Sequence, residues 1–396
     1  MKALVIDTTN TPWQDSHGFT LTDLPKPTLD EANNPEDASS VIVKLKYAGV
    51  CGSDRGLWHR AAFRDPFINA LKVENKTVRI VGHEFLGEIV EAGSMVKSLY
   101  SDPDPLNEAK IEVGNLVSGD SHVTCGRCYQ CRLGQNNVCM NEAILGITID
   151  GVFTEYAKLP AKNLWSIDES RIRPEVAAIF DPFGNAVHSL SKVDVRGQRV
   201  AIFGAGPIGL FSVLLAQNFG AAKVIVADID PKNLELAKKL GASETILIER
   251  KEKVHNYDSD PEVIARIMEL TYGKGVDVSM EMAGPPSSVN NAIDATRRGG
   301  HVVLFGIKDG DLTVPDFSRL IMRGLTIHAV IGRRIFETWQ ITQRVLSNRS
   351  NGIQDKVWEV ILNGGNDTIL PLADFDPEVF EKQLEQHPKL VFKMGD

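Results

Sequence analysis

The sequence of 396 residues has no run of eighteen apolar residues, so no stretch is long and apolar enough to cross a membrane as a helix. It has no basic block either, and its formal net charge is −9. That balance argues against nucleic acid or an anionic membrane as the main partner. Internal repeats and low-complexity tracts are missing, which excludes solenoids and disordered arrays. Cysteine is scarce, with five residues in all, and four of them fall between Cys125 and Cys139. So tight a cluster suits a bound metal in a reducing compartment better than a disulfide framework. The opening stretch, Met1-Lys-Ala-Leu-Val-Ile-Asp7, lacks the apolar core and small-residue cleavage site of a signal peptide and reads as a strand. A soluble, cytosolic protein is the expectation. What remains is ordinary globular composition, 43% hydrophobic and 24% charged, on a chain long enough for two cores.

The most informative stretch runs from Arg199 to Asp228. An apolar run, Arg199–Phe203, ends in Gly204-Ala-Gly-Pro-Ile-Gly209, and a helical pattern follows. A second strand then closes on Asp228. A G-x-G-x-x-G pattern alone is weak evidence, but between a strand and a helix, with an acid at the end of the next strand, it is a dinucleotide fingerprint. Gly204 allows the tight turn, Gly206 lets a pyrophosphate approach, and Gly209 lets helix and strand pack closely. Ile208 lies in the same turn, where free N–H groups at the helix start would face the phosphates. Further strands are expected at Lys223–Ala227, Thr245–Ile248, Val276–Met280, His301–Leu304 and Leu325–Val330, with helical patterns between most of them. Six strands with crossovers define an α/β, doubly wound Rossmann parallel sheet. Its carboxyl edge would carry Met282-Ala-Gly284, Phe305, Gly306 and Ile307, with Val330 and Ile331 at the end of the last strand. Asp228 would meet the ribose hydroxyls, and together with Asp230 it would repel a 2′-phosphate, favouring NAD over NADP despite Lys232 nearby.

Cys125, Cys128, Cys131 and Cys139 follow C-x2-C-x2-C-x7-C, a spacing that can wrap one tetrahedral Zn²⁺ with no open position. An iron–sulfur cluster also takes four cysteines, but no further redox machinery is visible. The fifth cysteine, Cys51, stands in Gly49-Val-Cys-Gly-Ser-Asp54, and Gly82-His-Glu-Phe85 follows thirty-two residues after it. Each alone reads as a small buried hydrophobe or a structural histidine. Together Cys51, His83 and Glu84 can supply a three-ligand catalytic zinc site. His122 reads equally well as a solvated loop histidine. Asp181, before a proline at a helix start, reads either as an N-cap or as a fourth carboxylate near the metal. Around these, Ser40–Tyr47, Gly87–Glu91, Gly151–Lys158 and Leu390–Lys393 are expected strands, and residues 100–110 a polar loop.

These motifs resemble the zinc-dependent medium-chain alcohol dehydrogenases over nearly the whole chain. The resemblance rests on Gly49–Asp54, Gly82–Glu84, the four cysteines and the glycine turn. A second set resembles the threonine-oxidising branch: Ser118–Gly126, Phe180–His188, Glu281–Gly284 and Gly332–Trp339. Polyol and butanediol dehydrogenases share parts of that set. The resemblance implies a GroES-like β-rich catalytic domain at residues 1–165, a dinucleotide domain at 166–330 and a C-terminal return, 331–396, to the first. It implies NAD, one catalytic and one structural zinc, a small alcohol substrate and a homotetramer. Cys51 and His83 would be zinc ligands, with Glu84 and Asp181 exchanging as the carboxylate. Ser53 would relay the substrate proton, and His122 would lie close to the substrate. The sequence departs from the family at Gly56, where a relay histidine is common, and in inserts near 60–78 and 100–110. The rival readings are a polyol, sugar or diol dehydrogenase, a non-catalytic dinucleotide-binding protein and a purely structural zinc module.

Overall fold

A computed structural model describes residues 1–9, 11–100, 110–250, 254–307 and 310–395. The expected loop at 100–110 therefore falls almost wholly outside the described residues. The chain divides into two compact units, Met1–Pro182 with Arg333–Asp396, and Phe183–Gly332. The first boundary lies beyond residue 165 because the strand Leu164–Ser166 pairs with Leu116–Gly119, and the helix Pro174–Ala177 packs on the same sheet.

In the first unit, the strand Ser40–Val50 is the centre of a seven-stranded sheet. It pairs antiparallel with Glu84–Ala92, Tyr156–Pro160 and Leu390–Lys393. Neighbours along both of its sides explain why it is buried over most of its length rather than alternating strictly. The expected strand at Gly151–Lys158 forms later, at Tyr156–Pro160. A three-stranded sheet, Thr20–Asp23, Lys2–Asp7 and Val78–Ile80, stands beside it. The core of this unit is rich in rings, among them Phe19, Trp58, Phe153, Phe380 and Phe392.

Two register details place chemistry. Gly49 lies opposite Glu84, and Val50 opposite Leu390. The residues just past these pairs, Cys51, His83 and Lys389, are thereby delivered to one end of the sheet from three distant parts of the chain. A Cβ on Gly49 would fall 2.1 Å from Glu84 Oε2 and 3.0 Å from Ile179 Cγ2, so any larger residue there would have to displace the Glu84 carboxylate.

The second unit is a six-stranded parallel sheet. In sequence order its strands are Arg199–Phe203, Lys223–Asp228, Glu244–Leu247, Val276–Glu281, Thr296–Leu304 and Thr326–Ala329. Their spatial order is third, second, first, fourth, fifth, sixth, with every pairing parallel. That is the dinucleotide-binding order, whose reversal point lies between the first and fourth strands.

At the start of this sheet Asp277 is held between two arginines. It accepts from Arg199 Nε at 3.0 Å and from Arg297 Nε at 2.6 Å, and also from the Arg199 backbone N–H at 2.9 Å. Burial opposes its ionisation, but the arginines outweigh it and hold the carboxyl at about 2. A depressed pKa stabilises the fold above the unfolded value and loses that effect as pH falls. We expect Asp277→Asn to lower stability at neutral pH by about 1–2 kcal/mol, allowing for solvent screening of the arginines. In urea unfolding the gap to wild type should close as pH falls from about 4, the ordinary carboxylate range, towards 2.

Candidate functional site

The first unit carries two sets of metal-ligating side chains. In one, the sulfurs of Cys125, Cys128, Cys131 and Cys139 all lie within 4.8 Å of one another. Cys125 and Cys139 are 3.6 Å apart at sulfur, and Cys128 and Cys139 are 3.9 Å apart. Four sulfurs around zinc at about 2.3 Å require edges of about 3.8 Å, so the donor set fits that metal. The short pair of strands His122–Val123 and Ala143–Ile144 closes the base of the lobe. Backbone N–H groups are aimed at the sulfurs: Cys128 donates to Cys125 at 3.3 Å, and Cys125 and Asn141 donate to Cys139 at 3.3 and 3.4 Å. Such donors favour thiolates. The N–H groups of Arg127 and Cys128 bring Cys125 down to about 6. Burial pushes Cys131 up to about 12, a cost that a coordinated cation offsets.

The second set is Cys51, His83 and Glu84, whose ligand atoms also lie within 4.8 Å of one another. Cys51 is the N-cap of the helix Gly52–Trp58, and its N–H donates to Asp54 Oδ2 at 2.8 Å. The other Asp54 oxygen faces His83 Nδ1 at 3.5 Å, and neither atom has a hydrogen-bond partner. His83 Nε2 faces the Ser53 hydroxyl at 3.3 Å. Burial opposes a charge on His83, but Asp54 and Cys51 overcome it and raise the imidazole well above the ordinary histidine range. A carboxylate at Nδ1 and a sulfur beside the ring are the surroundings of a metal-binding histidine.

Glu84 is fully buried and is met by an equally buried cation. Lys389 Nζ donates to both Glu84 oxygens, at 2.7 and 2.5 Å, and to the Val50 carbonyl at 2.7 Å. Burial pushes the Glu84 carboxyl up, against the pull of Lys389.

Asp181 is neither an N-cap nor a member of the Cys51 cluster. It sits in the first turn of Phe180–Leu190, where its oxygens accept from Arg333 Nη1 at 2.8 Å and from the Ser121 N–H at 3.0 Å. Arg333 also grips both oxygens of Asp120, at 3.0 and 2.8 Å, and Trp339 Nε1 donates to the same carboxylate at 3.0 Å. All three charged groups are buried. Burial opposes the charge on Arg333, but Asp120 and Asp181 reverse that and hold it above its usual value. His122 stands next to this network and bonds through Nδ1 to Glu142 at 2.8 Å. Asp54, Glu84, Asp120 and Asp181 thus lie in this unit with His83, Lys389 and Arg333 as their cationic partners.

Sequence reasoning found Cys51, Ser53, His83 and Glu84 but missed Asp54, Asp120, Lys389 and Arg333. Asp54 had a local signal, its three-residue spacing from a helix N-cap. Arg333 lies in the motif Gly332–Trp339, which marked the stretch but not the residue's partners, and Lys389 had no signal, because its partner is 305 residues away.

The second unit presents the expected cofactor residues at the carboxyl ends of its strands. Gly204 has φ +101°, and a Cβ on Gly209 would fall 1.9 Å from the Gly204 carbonyl. A Cβ on Gly206 would meet nothing within 4 Å, which leaves open space at the N-cap of the helix Pro207–Asn218. Glycine is thus required for packing at 209 and keeps the helix start open at 206, as a bound pyrophosphate needs. Asp228 Oδ2 accepts from the Ala205 N–H at 2.5 Å, and Oδ1 from the Asp230 N–H at 2.7 Å. Asp230 itself caps the helix Pro231–Leu240. Phe305 and Gly306 donate from their backbones to the Glu281 carbonyl, and Val330 to the Leu304 carbonyl. Ile307 and Ile331 are exposed beyond these strand ends.

A family model for the alcohol dehydrogenase GroES-like domain matches residues 37–169, and one for zinc-binding dehydrogenase matches 207–348. An L-threonine 3-dehydrogenase of Shewanella loihica is 34% identical over 322 residues, covering 81% of this chain and 83% of that protein. Among solved structures, an alcohol dehydrogenase from Escherichia coli complexed with NADH is 25% identical, with a TM-score of 0.72 and 99% of both chains covered. A zinc-binding dehydrogenase from Sinorhizobium meliloti bound to NADP is also 25% identical, with a TM-score of 0.70 over 99% of this chain and 98% of that one. The chain belongs to the family of zinc-binding alcohol dehydrogenases with a GroES-like domain. It is an oxidoreductase that uses zinc and a nicotinamide cofactor on a small-molecule alcohol. No helix among the described residues is long and apolar enough to cross a membrane.

The cysteine lobe yields a prediction. Replacing Cys128 with serine should remove one zinc per chain by elemental analysis and lower the thermal midpoint. In the wild type, acidification should release this zinc as protons compete for the four sulfurs. A colorimetric chelator reports the release, and retention by the variant would show that the lobe does not hold the metal.

Proposed function

We propose that this chain oxidises the secondary hydroxyl of L-threonine to 2-amino-3-oxobutanoate with NAD⁺ as acceptor, using one catalytic and one structural zinc. The observation that carries the reaction is the donor set of half-buried Cys51 with buried His83 and Glu84, and the Ser53 hydroxyl 3.3 Å from the His83 ring. The choice of threonine is supported by the likeness to L-threonine 3-dehydrogenase over four-fifths of the chain and by the motifs at Ser118–Gly126 and Gly332–Trp339.

Zinc, when bound, supplies a Lewis acid that makes the substrate hydroxyl more acidic, and the nicotinamide supplies the hydride acceptor. The chain's own groups do the remaining work. Cys51 and His83 are the ligands in this reading, and Asp54 orients His83. Glu84 is the third donor in reach, but Lys389 engages it as Arg333 engages Asp181, so either carboxylate binds a metal only by loosening its hold on that cation. Ser53 takes the substrate proton and passes it towards solvent. His122, paired with Glu142, lines the approach to the substrate. In the other unit, Gly206 and the helix start receive the pyrophosphate, and Asp228 exchanges its backbone donors for the ribose hydroxyls. The residues Phe305, Gly306, Ile307, Val330 and Ile331 at the strand ends flank the cofactor. An acid at 228 favours NAD over NADP. The reading includes a homotetramer, on the family resemblance, in a reducing cytoplasm, on the five unbridged cysteines.

NADH formation should proceed with L-threonine and be at least about tenfold less efficient with sorbitol or 2,3-butanediol. Good turnover of a polyol with none of threonine would replace the substrate assignment. Cys51→Ser should lower kcat/KM by about a hundredfold or more with the fold intact. Unchanged turnover in that variant would defeat the zinc mechanism and favour a non-catalytic or differently catalysed reading.

A further inference from the structure

A third cluster of metal-ligating groups lies in the first unit, distinct from both sets above. It joins His17, His59 and Glu381. His17 Nε2 and His59 Nδ1 are 3.3 Å apart, and Glu381 Oε1 stands 3.9 Å from each. The contact between the two imidazoles can be a hydrogen bond. The carboxylate distances cannot, since they are too long for either nitrogen to donate. An acceptor oxygen equidistant from two ring nitrogens, and bonded to neither, outlines a gap of a definite size. The nearest point equidistant from the three atoms is about 2.2 Å from each, the upper end of zinc–oxygen bonds and slightly beyond zinc–nitrogen bonds, so a small inward turn of the rings seats the metal.

The three side chains sit on a rigid platform. His59 is the C-cap of the helix Gly52–Trp58. His17 packs edge-on against Trp58 with ring centres 5.1 Å apart. Arg60 donates to the Gly18 carbonyl and the Ser16 hydroxyl, both at 2.8 Å, which ties the backbone on either side of His17 to the turn after His59. Glu381 lies on the helix Pro377–Gln386, and its neighbour Phe380 packs edge-on against Trp58 with ring centres 4.7 Å apart. Donors held by packed neighbours lose little freedom on taking a metal. Burial, reinforced by His17 and Arg55 and opposed by Glu381, keeps His59 below the ordinary histidine range, so its lone pair is free at neutral pH. The side chains remain partly exposed, at 50%, 34% and 39% for His17, His59 and Glu381, so water can complete the shell.

We propose that His17, His59 and Glu381 form an additional surface site for a first-row divalent metal, with Zn²⁺ as its natural probe. Two imidazoles and one carboxylate suit zinc, copper or nickel rather than magnesium or calcium. Bound metal would tether the N-terminal loop, the helix that begins at Cys51 and the C-terminal helix to one another.

The test is equilibrium dialysis of the zinc-loaded enzyme at free zinc from the nanomolar to the high micromolar range, with metal counted per chain. Wild type should bind one zinc more than the double variant His17→Ala, Glu381→Gln. It should also show a zinc-dependent rise in thermal midpoint of about 2–4 °C that the variant lacks. The difference between the two proteins is the readout, so occupancy of the two other metal sets does not affect it. Circular dichroism and retained basal activity check that the variant is folded, and His59→Ala provides a second, independent loss of the same metal. Equal zinc binding by wild type and variants, or an additional zinc retained by both, would overturn the proposal.

Discussion

The buried guanidinium of Arg333, shared between Asp120 and Asp181, is the constraint on which the first unit depends. It opens the C-terminal segment of the chain and ends in a pocket made by a strand end and the first turn of a helix. Without it two carboxylates would be buried with no cation between them, and losing one member of a buried charged network leaves the others unpaired. Lys389 plays the same part for Glu84. Together the two cations make the sheet end able to hold several acids beside Cys51 and His83 while keeping room for a dication.

Register does the positioning. The pairing of Gly49 with Glu84, and of Val50 with Leu390, brings the donors together without a dedicated loop. A slip of one residue in either pairing would turn the relevant side chains to the opposite face. The nucleotide-binding sheet is built by different means, from parallel crossovers and a glycine turn in which two of the three glycines are fixed by space and one is kept for a ligand. The two units thus owe their chemistry to separate physical devices, which is consistent with their being matched by separate family models.

Much of this was legible in the amino-acid order. The parallel sheet was, since each of its strands is a compact apolar run between helical patterns, and Arg199–Phe203 and Leu390–Lys393 form with the expected ends. The cysteine lobe was, because all its ligands fall in one short segment. Legibility failed wherever a side chain's meaning depends on a distant partner. Asp181 has the local look of a helix cap, yet its partners lie 60 and 152 residues away. Lys389 is a single lysine before an apolar strand, and nothing nearby marks it as the counter-ion of a glutamate 305 residues earlier. His17 and His59 are unremarkable until packing on Trp58 sets them side by side. Residue Gly56, where a relay histidine would stand, is followed by an insert that folds into the helix Arg64–Glu74.

The Lys389–Glu84 pair also fixes an order of events in time. The four cysteines of the lobe are synthesised within fifteen residues of one another, so that segment can take up its metal while the rest of the chain is still on the ribosome. Glu84 lacks its lysine partner until residue 389 has been added, just before the strand that pairs with Ser40–Val50. The Cys51 set therefore gains its full surroundings later in synthesis than the cysteine lobe does. A chain without Lys389 would still carry its four cysteines and its glycine turn, but Glu84 would lie buried without the lysine that meets both of its oxygens.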